Sequence, residues 1–189
     1  MRAPLFYSKI LLFGEYGIIK NSKGLSIPYN FYKGGLKIGD INSYQGHGGL
    51  AYGQGVPILW AHIMEGGFQV NAQGKRFSNE AKGYSEQAKE ILCQTNNFAW
   101  SIYDERCHDV MKEFDDYHDA LKTQCIIKAN NLDELIKLTG LPSTLYQTFS
   151  EVKDLTNGEK DDIFGRNFTG KPVLNKPYYA VKVSPALFH

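Results

Sequence analysis

Apolar residues near the start of the chain come in short runs between glycines and other turn-forming residues. Residues 5–19 (LFYSKILLFGEYGII) predict two short strands around Gly14, and residues 21–35 are rich in turn formers. Residues 41–55 (INSYQGHGGLAYGQG) carry a run of glycines whose flexibility favours no regular element.

Short strands and helices follow the apolar run at residues 58–64. Residues 68–71 predict a strand that ends in a hairpin-type turn at residues 72–74. Apolar residues at helical spacing predict a helix over residues 85–94, and an alternating pattern predicts a strand over residues 98–103.

The second half of the chain has clearer helix signals. Residues 109–121 predict an acidic helix. Asn131 is a candidate N-cap with Glu134 three residues later, and Gly140 is a candidate stop for that helix. Residues 143–154 predict the next helix.

A final strand is predicted at residues 178–183, after a loop at residues 164–177. Strands and helices follow one another in a mixed order, without the regular alternation of parallel α/β proteins. The sequence therefore predicts an α+β fold.

Composition and net charge exclude several classes of function. The net charge of +1 gives no long-range field for nucleic acid or an anionic membrane, and 42% hydrophobic residues indicate a globular chain. The N-terminus lacks a signal-peptide pattern, and no window is apolar enough for membrane insertion. Cys93, Cys107 and Cys125 lack metal or disulfide spacing, so no metal and a cytoplasmic location are expected.

Three ordered motifs carry a family resemblance. Residues 66–80 (GGFQVNAQGKRFSNE) are followed by residues 161–166 (DDIFGR) and by residues 177–189 (PYYAVKVSPALFH). From about residue 37 to 189, these motifs resemble the FAD-dependent oxidoreductase 2 family, that is, flavoproteins of the fumarate reductase and succinate dehydrogenase type. The resemblance implies FAD as cofactor, a small-molecule substrate and hydride transfer at a carbonyl-activated carbon–carbon bond.

The resemblance assigns a catalytic role to Tyr84. Fumarate reductases are expected to have a proton-donating arginine at this position. A phenol can donate a proton but cannot clamp a carboxylate with two bonds, so ketosteroids or other carbonyl compounds fit better than fumarate. The alternative is that Tyr84 only packs under the cap domain.

Three further residues fall at family site positions. His47 matches a substrate-binding histidine and is assigned to catalysis and substrate binding, or it is a loop histidine without a role. Phe188 occupies the position of a second substrate histidine, and His189 lies beside it. The resemblance assigns both to substrate binding, and His189 also to the cofactor, because this segment leads to the flavin.

The remaining charged residues are expected to be structural. Arg76 and Glu80 are predicted to form an ion pair or a turn contact. A possible metal or acid–base cluster is instead expected to be a solvated turn: Asp104, Arg106 and His108. Two acid pairs are expected to be exposed: Asp115–Asp116 and Asp161–Asp162.

The sequence contains no G-x-G-x-x-G motif for binding the FAD pyrophosphate. FAD binding by this chain is therefore expected to be weak or absent, and the fragment is expected to be inactive alone. Residues 1–36 resemble the N-terminus of a GHMP kinase of the mevalonate type, with Lys9 and Glu15 at matching positions. The kinase phosphate loop is absent downstream, so a chimeric or truncated chain is expected; a divergent leader is the alternative.

These observations predict a fragment of an FAD-binding flavoprotein with its cap domain, preceded by a short β-hairpin. Four segments are expected: a kinase-like hairpin at 1–36, part of the FAD-binding domain at 37–67, a substrate cap domain at 68–160 and a return segment at 161–189. The rival functions are a GHMP-type kinase fragment and a non-catalytic α+β module.

Overall fold

The computed structural model of the protein describes residues 5–13, 25–35 and 45–188. Contacts divide the chain into two units, Met1–Ser43 and Tyr44–His189. Each unit has its own sheet.

The first unit contains two antiparallel strands, β1 (Leu5–Phe13) and β2 (Leu25–Gly35). β1 matches the first of the two strands predicted within residues 5–19, whereas the prediction of turns is wrong for residues 25–35, which form β2. The apolar residues of β2 alternate with polar ones or proline from Leu25 to Phe31, which is a strand period. The predicted second strand, residues 15–19, lies outside the described residues.

The second unit is built on a five-stranded antiparallel sheet. Its strands are β3 (Gln45–Ala51), β4 (Phe68–Val70), β5 (Ala99–Asp104), β6 (Ile126–Ala129) and β7 (Tyr178–Phe188). β7 pairs with β3, β5 and β6, and β4 pairs with the other side of β5. The predicted α+β class is confirmed.

Six α-helices accompany this sheet among the described residues. They are α1 (Ala61–Met64), α2 (Tyr84–Leu92), α3 (Glu105–Lys112), α4 (Asp115–Lys122), α5 (Leu132–Thr139) and α6 (Thr144–Thr156). The predicted single helix at 109–121 is wrong: two helices meet at Phe114, whose backbone is extended. α3 also begins earlier than predicted, because the Asp104 carboxylate accepts a hydrogen bond from the Cys107 backbone N–H at 3.2 Å.

Helices cover both faces of the sheet and form two apolar cores. Trp100 and Ile102 of β5 belong to the core that contains Leu135 of α5. Ala99 and Tyr103 alternate with them and belong to the core that also contains residues of α2, α3 and α4. Because every β5 residue is buried, this strand lies in the middle of the structure.

Part of the glycine run, Gln45–Ala51, forms β3, contrary to its prediction, although its pairing with β7 has a register shift between His47 and Leu50. A Cβ on Gly46 would lie 2.9 Å from the Ala88 Cβ, and a Cβ on Gly48 would lie 3.0 Å from the Gln87 Cβ. The glycines therefore let α2 pack directly against the backbone of β3.

The predicted hairpin-type turn after β4 is also only partly correct. The Asn71 backbone N–H donates to the Lys75 carbonyl oxygen at 2.9 Å, and Gly74 has φ of 69°. The turn does not return the chain into a paired strand, since β4 pairs with β5.

Candidate active site

His47 and Tyr84 come together where β3 meets the start of α2. Their ring centroids are 5.2 Å apart and their planes differ by 30°, so the rings are stacked. Ser85, next to Tyr84, donates a hydrogen bond to the Gly46 carbonyl oxygen at 2.9 Å, and its hydroxyl oxygen accepts one from the Gly46 N–H at 3.0 Å. This pair of bonds fixes β3 to α2 beside the two rings.

The Tyr84 side chain contacts Gln45 as well as His47. Its oxygen accepts a hydrogen bond from the Gln45 side-chain amide at 2.9 Å. An accepted bond leaves the phenolic hydrogen for another acceptor. The side chain is 37% exposed, so a ligand can reach it.

Trp60 is the third ring of this site. Its ring centroid lies 6.2 Å from that of His47 and 6.4 Å from that of Tyr84, and its plane is at 75° to both. We call these three residues the aromatic corner. Sequence reasoning did not select Trp60; the available signal was a tryptophan at the end of an apolar run, close behind the glycines around His47.

His47 is held as a neutral imidazole. The Gly49 backbone N–H donates to its Nδ1 at 3.1 Å, which places the ring proton on Nε2. Burial lowers the pKa of His47 below its ordinary value of 6.5. The histidine therefore adds no positive charge to the corner at neutral pH.

Behind Trp60, His62 is completely buried. Its Nδ1 lies 2.6 Å from the Leu59 carbonyl oxygen, and its ring meets that of Trp60 edge-on at 5.9 Å. Burial lowers the pKa of His62 to about 4. The buried Nε2 of His62 and Nε1 of Trp60 have no hydrogen-bond partner among the described residues.

A buried polar network joins the elements that carry the corner. The Gln69 amide nitrogen donates to the Gly48 carbonyl oxygen at 2.9 Å and to the Ser101 hydroxyl at 3.0 Å. Gln87 of α2 donates to the Gln69 side-chain oxygen at 2.9 Å and accepts from the Ser78 hydroxyl at 2.7 Å. The network thus links β3, β4 and β5 to α2.

Four charged residues form a second buried cluster. Arg76 contacts Glu80 at 2.9 Å and Asp162 at 2.8 Å, and Arg166 contacts Glu80 at 3.2 Å. The predicted ion pair of Arg76 and Glu80 is confirmed. The prediction that Asp162 is exposed is wrong, because its side chain is paired and only 2% exposed, whereas Asp161 is exposed.

The predicted solvated turn is also wrong. Asp104 is buried at the end of β5 and caps α3, and His108 is buried on α3 with its Nδ1 2.8 Å from the Tyr117 hydroxyl. Arg106 is half-buried and paired with Glu65 at 3.1 Å. These residues pack between elements, because α3 begins as soon as β5 ends.

Asp115 and Asp116 are exposed as predicted, in the first turn of α4. Across the described ranges, no group of three or more His, Cys, Asp or Glu side chains is placed to hold a metal ion. In the same part of the chain, no helix has the length and apolarity needed to cross a membrane.

The backbone of Phe188 lies beside the corner, where its Cα pairs with that of Gln45 in the β3–β7 ladder. Its predicted role in substrate binding stays a prediction, as do the catalytic roles of His47 and Tyr84. His189, expected at the substrate and the cofactor, lies outside the described residues.

The glycines near the corner do not form a phosphate-binding loop for FAD. Gly46 and Gly48 face α2 side chains at contact distance. Gly53 and Gly55 have positive φ, but no helix begins directly after them. The described residues therefore do not fit a dinucleotide site of their own.

Comparison with known sequences identifies the relatives of this chain. No protein-family model matches it. A probable fumarate reductase, Ifc3, of Shewanella frigidimarina (strain NCIMB 400) is 31% identical over 158 residues, which are 82% of this chain and 26% of the relative. The chain spans about a quarter of the length of the first curated relatives it matches.

Solved structures agree with this result. The open conformation of a flavocytochrome c3 fumarate reductase matches 77% of this chain and 26% of its own, with 28% identity and a TM-score of 0.68. A 3-ketosteroid Δ4-(5α)-dehydrogenase from Rhodococcus jostii RHA1 shares the fold, with 21% identity and a TM-score of 0.55 over 68% of this chain and 27% of its own.

The predicted resemblance to flavoproteins is therefore confirmed, whereas these matches give no support to the kinase resemblance of residues 1–36, which stays a prediction. Lys9 lies in β1, and Glu15 is outside the described residues. Over most of its length, this chain is therefore similar to part of the fumarate reductases.

Proposed function

We propose that this chain is the substrate-side part of an FAD-dependent oxidoreductase that acts on carbon–carbon bonds next to a carbonyl group. The similarity to fumarate reductases supports the class of reaction. Since the described residues do not fit FAD, their proposed contribution is to bind the substrate and to supply a proton.

Tyr84 is the proposed proton donor. The observation that carries this role is the hydrogen bond from the Gln45 amide to the Tyr84 oxygen, which leaves the phenolic hydrogen for a bound substrate. Stacking on His47 restrains the Tyr84 ring, and the bonds between Ser85 and Gly46 restrain the backbone next to it. A restrained donor is what general acid catalysis requires.

The proposed substrate is a neutral carbonyl compound. The ring neighbours of Tyr84 are His47, which burial keeps neutral, and Trp60. Neither carries a charge that would compensate a carboxylate as it leaves water. The named relatives are fumarate reductases, and the replacement of their expected arginine by Tyr84 supports a different substrate for this chain.

The proposed domain division keeps residues 68–160 as a substrate cap. Residues 37–67 and 161–189 would connect this cap to the FAD-binding part. β3 and β7 lie outside residues 68–160 but join the same sheet as β4 and β5. Residues on both sides of the cap segment thus contribute to its sheet.

A change of Tyr84 to phenylalanine tests the proposed role. Residues 45–188 would replace the matching segment of the complete Shewanella relative, and reduction of a neutral enone would be followed with and without Tyr84→Phe. Loss of the hydroxyl should lower kcat by roughly 10²–10⁴-fold, the usual range for general acid catalysis, with flavin content unchanged. An unchanged kcat would mean that Tyr84 only packs in the cap.

A further inference from the structure

We propose that Trp60 determines specificity in the aromatic corner, selecting flat, uncharged α,β-unsaturated ketones with an apolar ring body. This inference rests on the proposed function and identifies a further residue and the shape of its substrate.

The corner has two walls that meet nearly at a right angle. His47 stacks on one face of Tyr84, the other face of Tyr84 forms one wall, and Trp60, whose plane stands at 75° to both rings, forms the second. A planar ligand can lie flat on one wall while its edge meets the other, in the offset and edge-to-face contacts that aromatic rings favour.

Gly49 allows the walls to meet. A Cβ at this position would lie 3.2 Å from the His47 Cε1 and 3.5 Å from the Trp60 Cζ3. The glycine is therefore in close contact with both rings, and a larger residue would displace one of them. The short distances make the corner a consequence of the β3 sequence as well as of α2.

The surface of Trp60 offers apolar atoms and no hydrogen-bond donor. Its Nε1 is buried, although the residue as a whole is only partly buried. His62, buried and neutral, stands edge-on behind the indole and restrains it. The partly exposed remainder of the indole can therefore accept a flat hydrocarbon surface but cannot pair with a carboxylate.

Polar recognition is left to the edge of the corner. The Tyr84 hydroxyl and the Gln45 amide are joined there by a hydrogen bond of 2.9 Å. A ketone oxygen or the neighbouring unsaturated carbon can approach the Tyr84 hydroxyl while the ring body lies on Trp60. A dicarboxylate has no ring body to place on Trp60 and would leave a charge without a partner.

Titration of the 189-residue chain tests this inference without flavin. The chain contains two tryptophans, so the indole N–H signals of Trp60 and Trp100 give two separate NMR reporters. The probes are 4-phenylbut-3-en-2-one, a flat neutral enone; trans-cinnamate, which has the same ring body with a carboxylate; and fumarate. The enone should shift the Trp60 signal with a Kd at least about tenfold lower than either acid, while the buried Trp100 signal stays unchanged.

Two variants separate the aromatic wall from general effects on folding. Trp60→Phe should retain enone binding within about threefold, and Trp60→Leu should weaken it about tenfold or more, followed by backbone amide signals of β3 and α2. Equal or tighter binding of cinnamate or fumarate, unchanged enone binding in Trp60→Leu, or no binding of any probe at the corner would overturn the inference.

The binding experiments on Trp60 and the turnover test of Tyr84 can succeed or fail independently of each other. Selective enone binding with no effect of Tyr84→Phe on kcat would remove the proposed proton donor and keep Trp60 as a specificity residue. Loss of turnover in Tyr84→Phe without enone selectivity would keep Tyr84 as the proposed proton donor and remove Trp60 as a specificity residue.

Discussion

The carboxylate of Glu80 lies between the guanidinium groups of Arg76 and Arg166, at 2.9 Å and 3.2 Å. Arg166 also donates to the Ile63 carbonyl oxygen at 2.7 Å. Burial works to raise the pKa of Glu80, but the hydrogen bond and charge of Arg76 outweigh it, so the pKa is lowered. The carboxylate thus stays ionised and ties together segments that are distant in the sequence, just before the chain enters α2.

Replacing Glu80 by glutamine should strongly destabilise the protein. The change keeps the shape of the side chain but leaves the buried Arg166 without its carboxylate partner, which costs about 3–5 kcal/mol when one member of a buried ion pair is removed. Urea unfolding of the 189-residue chain measures the free energy of unfolding. The matched control is Asp109→Asn, whose pair with Lys112 is exposed and should change stability little. Equal losses in the two variants would refute the structural role of the cluster.

Gln87 should contribute more to the stability of the protein than an exposed glutamine in another helix. Gln87→Leu removes the partners of Ser78 and Gln69, both buried, so we expect a loss of about 2–3 kcal/mol. Gln147→Leu on α6 removes only an exposed bond to Glu151 and should stay within about 0.5 kcal/mol of the parent. Thermal or urea unfolding compares the two. A loss in Gln87→Leu no larger than that in Gln147→Leu would mean that the network contributes little.

The sequence predicted the features that depend on neighbouring residues, but it did not predict those that depend on contacts with distant residues. Asn131 accepts a hydrogen bond from the Glu134 N–H at 2.9 Å, and Gly140 ends α5 with φ of 71°, as the sequence predicted. Both features depend on neighbours within one helix. The glycines of β3 and the burial of Asp162 depend instead on contacts with distant residues, which composition and spacing do not contain.

Only part of the candidate site could be predicted from the sequence. The family motif led to His47 and Tyr84, which the structure brings together. Trp60 has no motif position of its own and is recognised only from the angle of its ring to these two. Its importance follows from packing, so sequence spacing could not identify it.

His62 should make stability depend on pH between pH 5 and pH 7. Its folded-state pKa of about 4 lies below the ordinary value of 6.5, so the unfolded chain binds a proton that the folded chain does not. This contribution to stability is fully present above pH 6.5 and is lost as the pH falls towards 4. The expected loss from pH 7 to pH 5 is about 2 kcal/mol.

Urea unfolding of the parent and of His62→Asn at both pH values isolates this effect. Asparagine can keep a donor near the Leu59 carbonyl oxygen but does not titrate. His47 and His108, whose pKa values are also lowered, remain in both proteins, so the difference between the two pH slopes reports on His62. Identical slopes would show that His62 does not titrate as its burial requires.

Gly46→Ala should separate β3 from α2 and loosen the stack of His47 on Tyr84. The added methyl group would lie 2.9 Å from the Ala88 Cβ and 3.0 Å from the Ser85 carbonyl oxygen, so we expect a loss of about 1–3 kcal/mol from overpacking. Ala88→Gly removes one of these contacts, although it costs roughly 1 kcal/mol in helix propensity. In a double-mutant cycle, Gly46→Ala should therefore cost at least about 0.5 kcal/mol less when Ala88 is already glycine. The ring signals of Tyr84, which the stacked imidazole shifts, should move in Gly46→Ala and return part of the way in the double variant, because the Ser85 contact remains. Strictly additive losses, with unmoved Tyr84 signals, would show that the close approach of β3 to α2 does not hold the corner together.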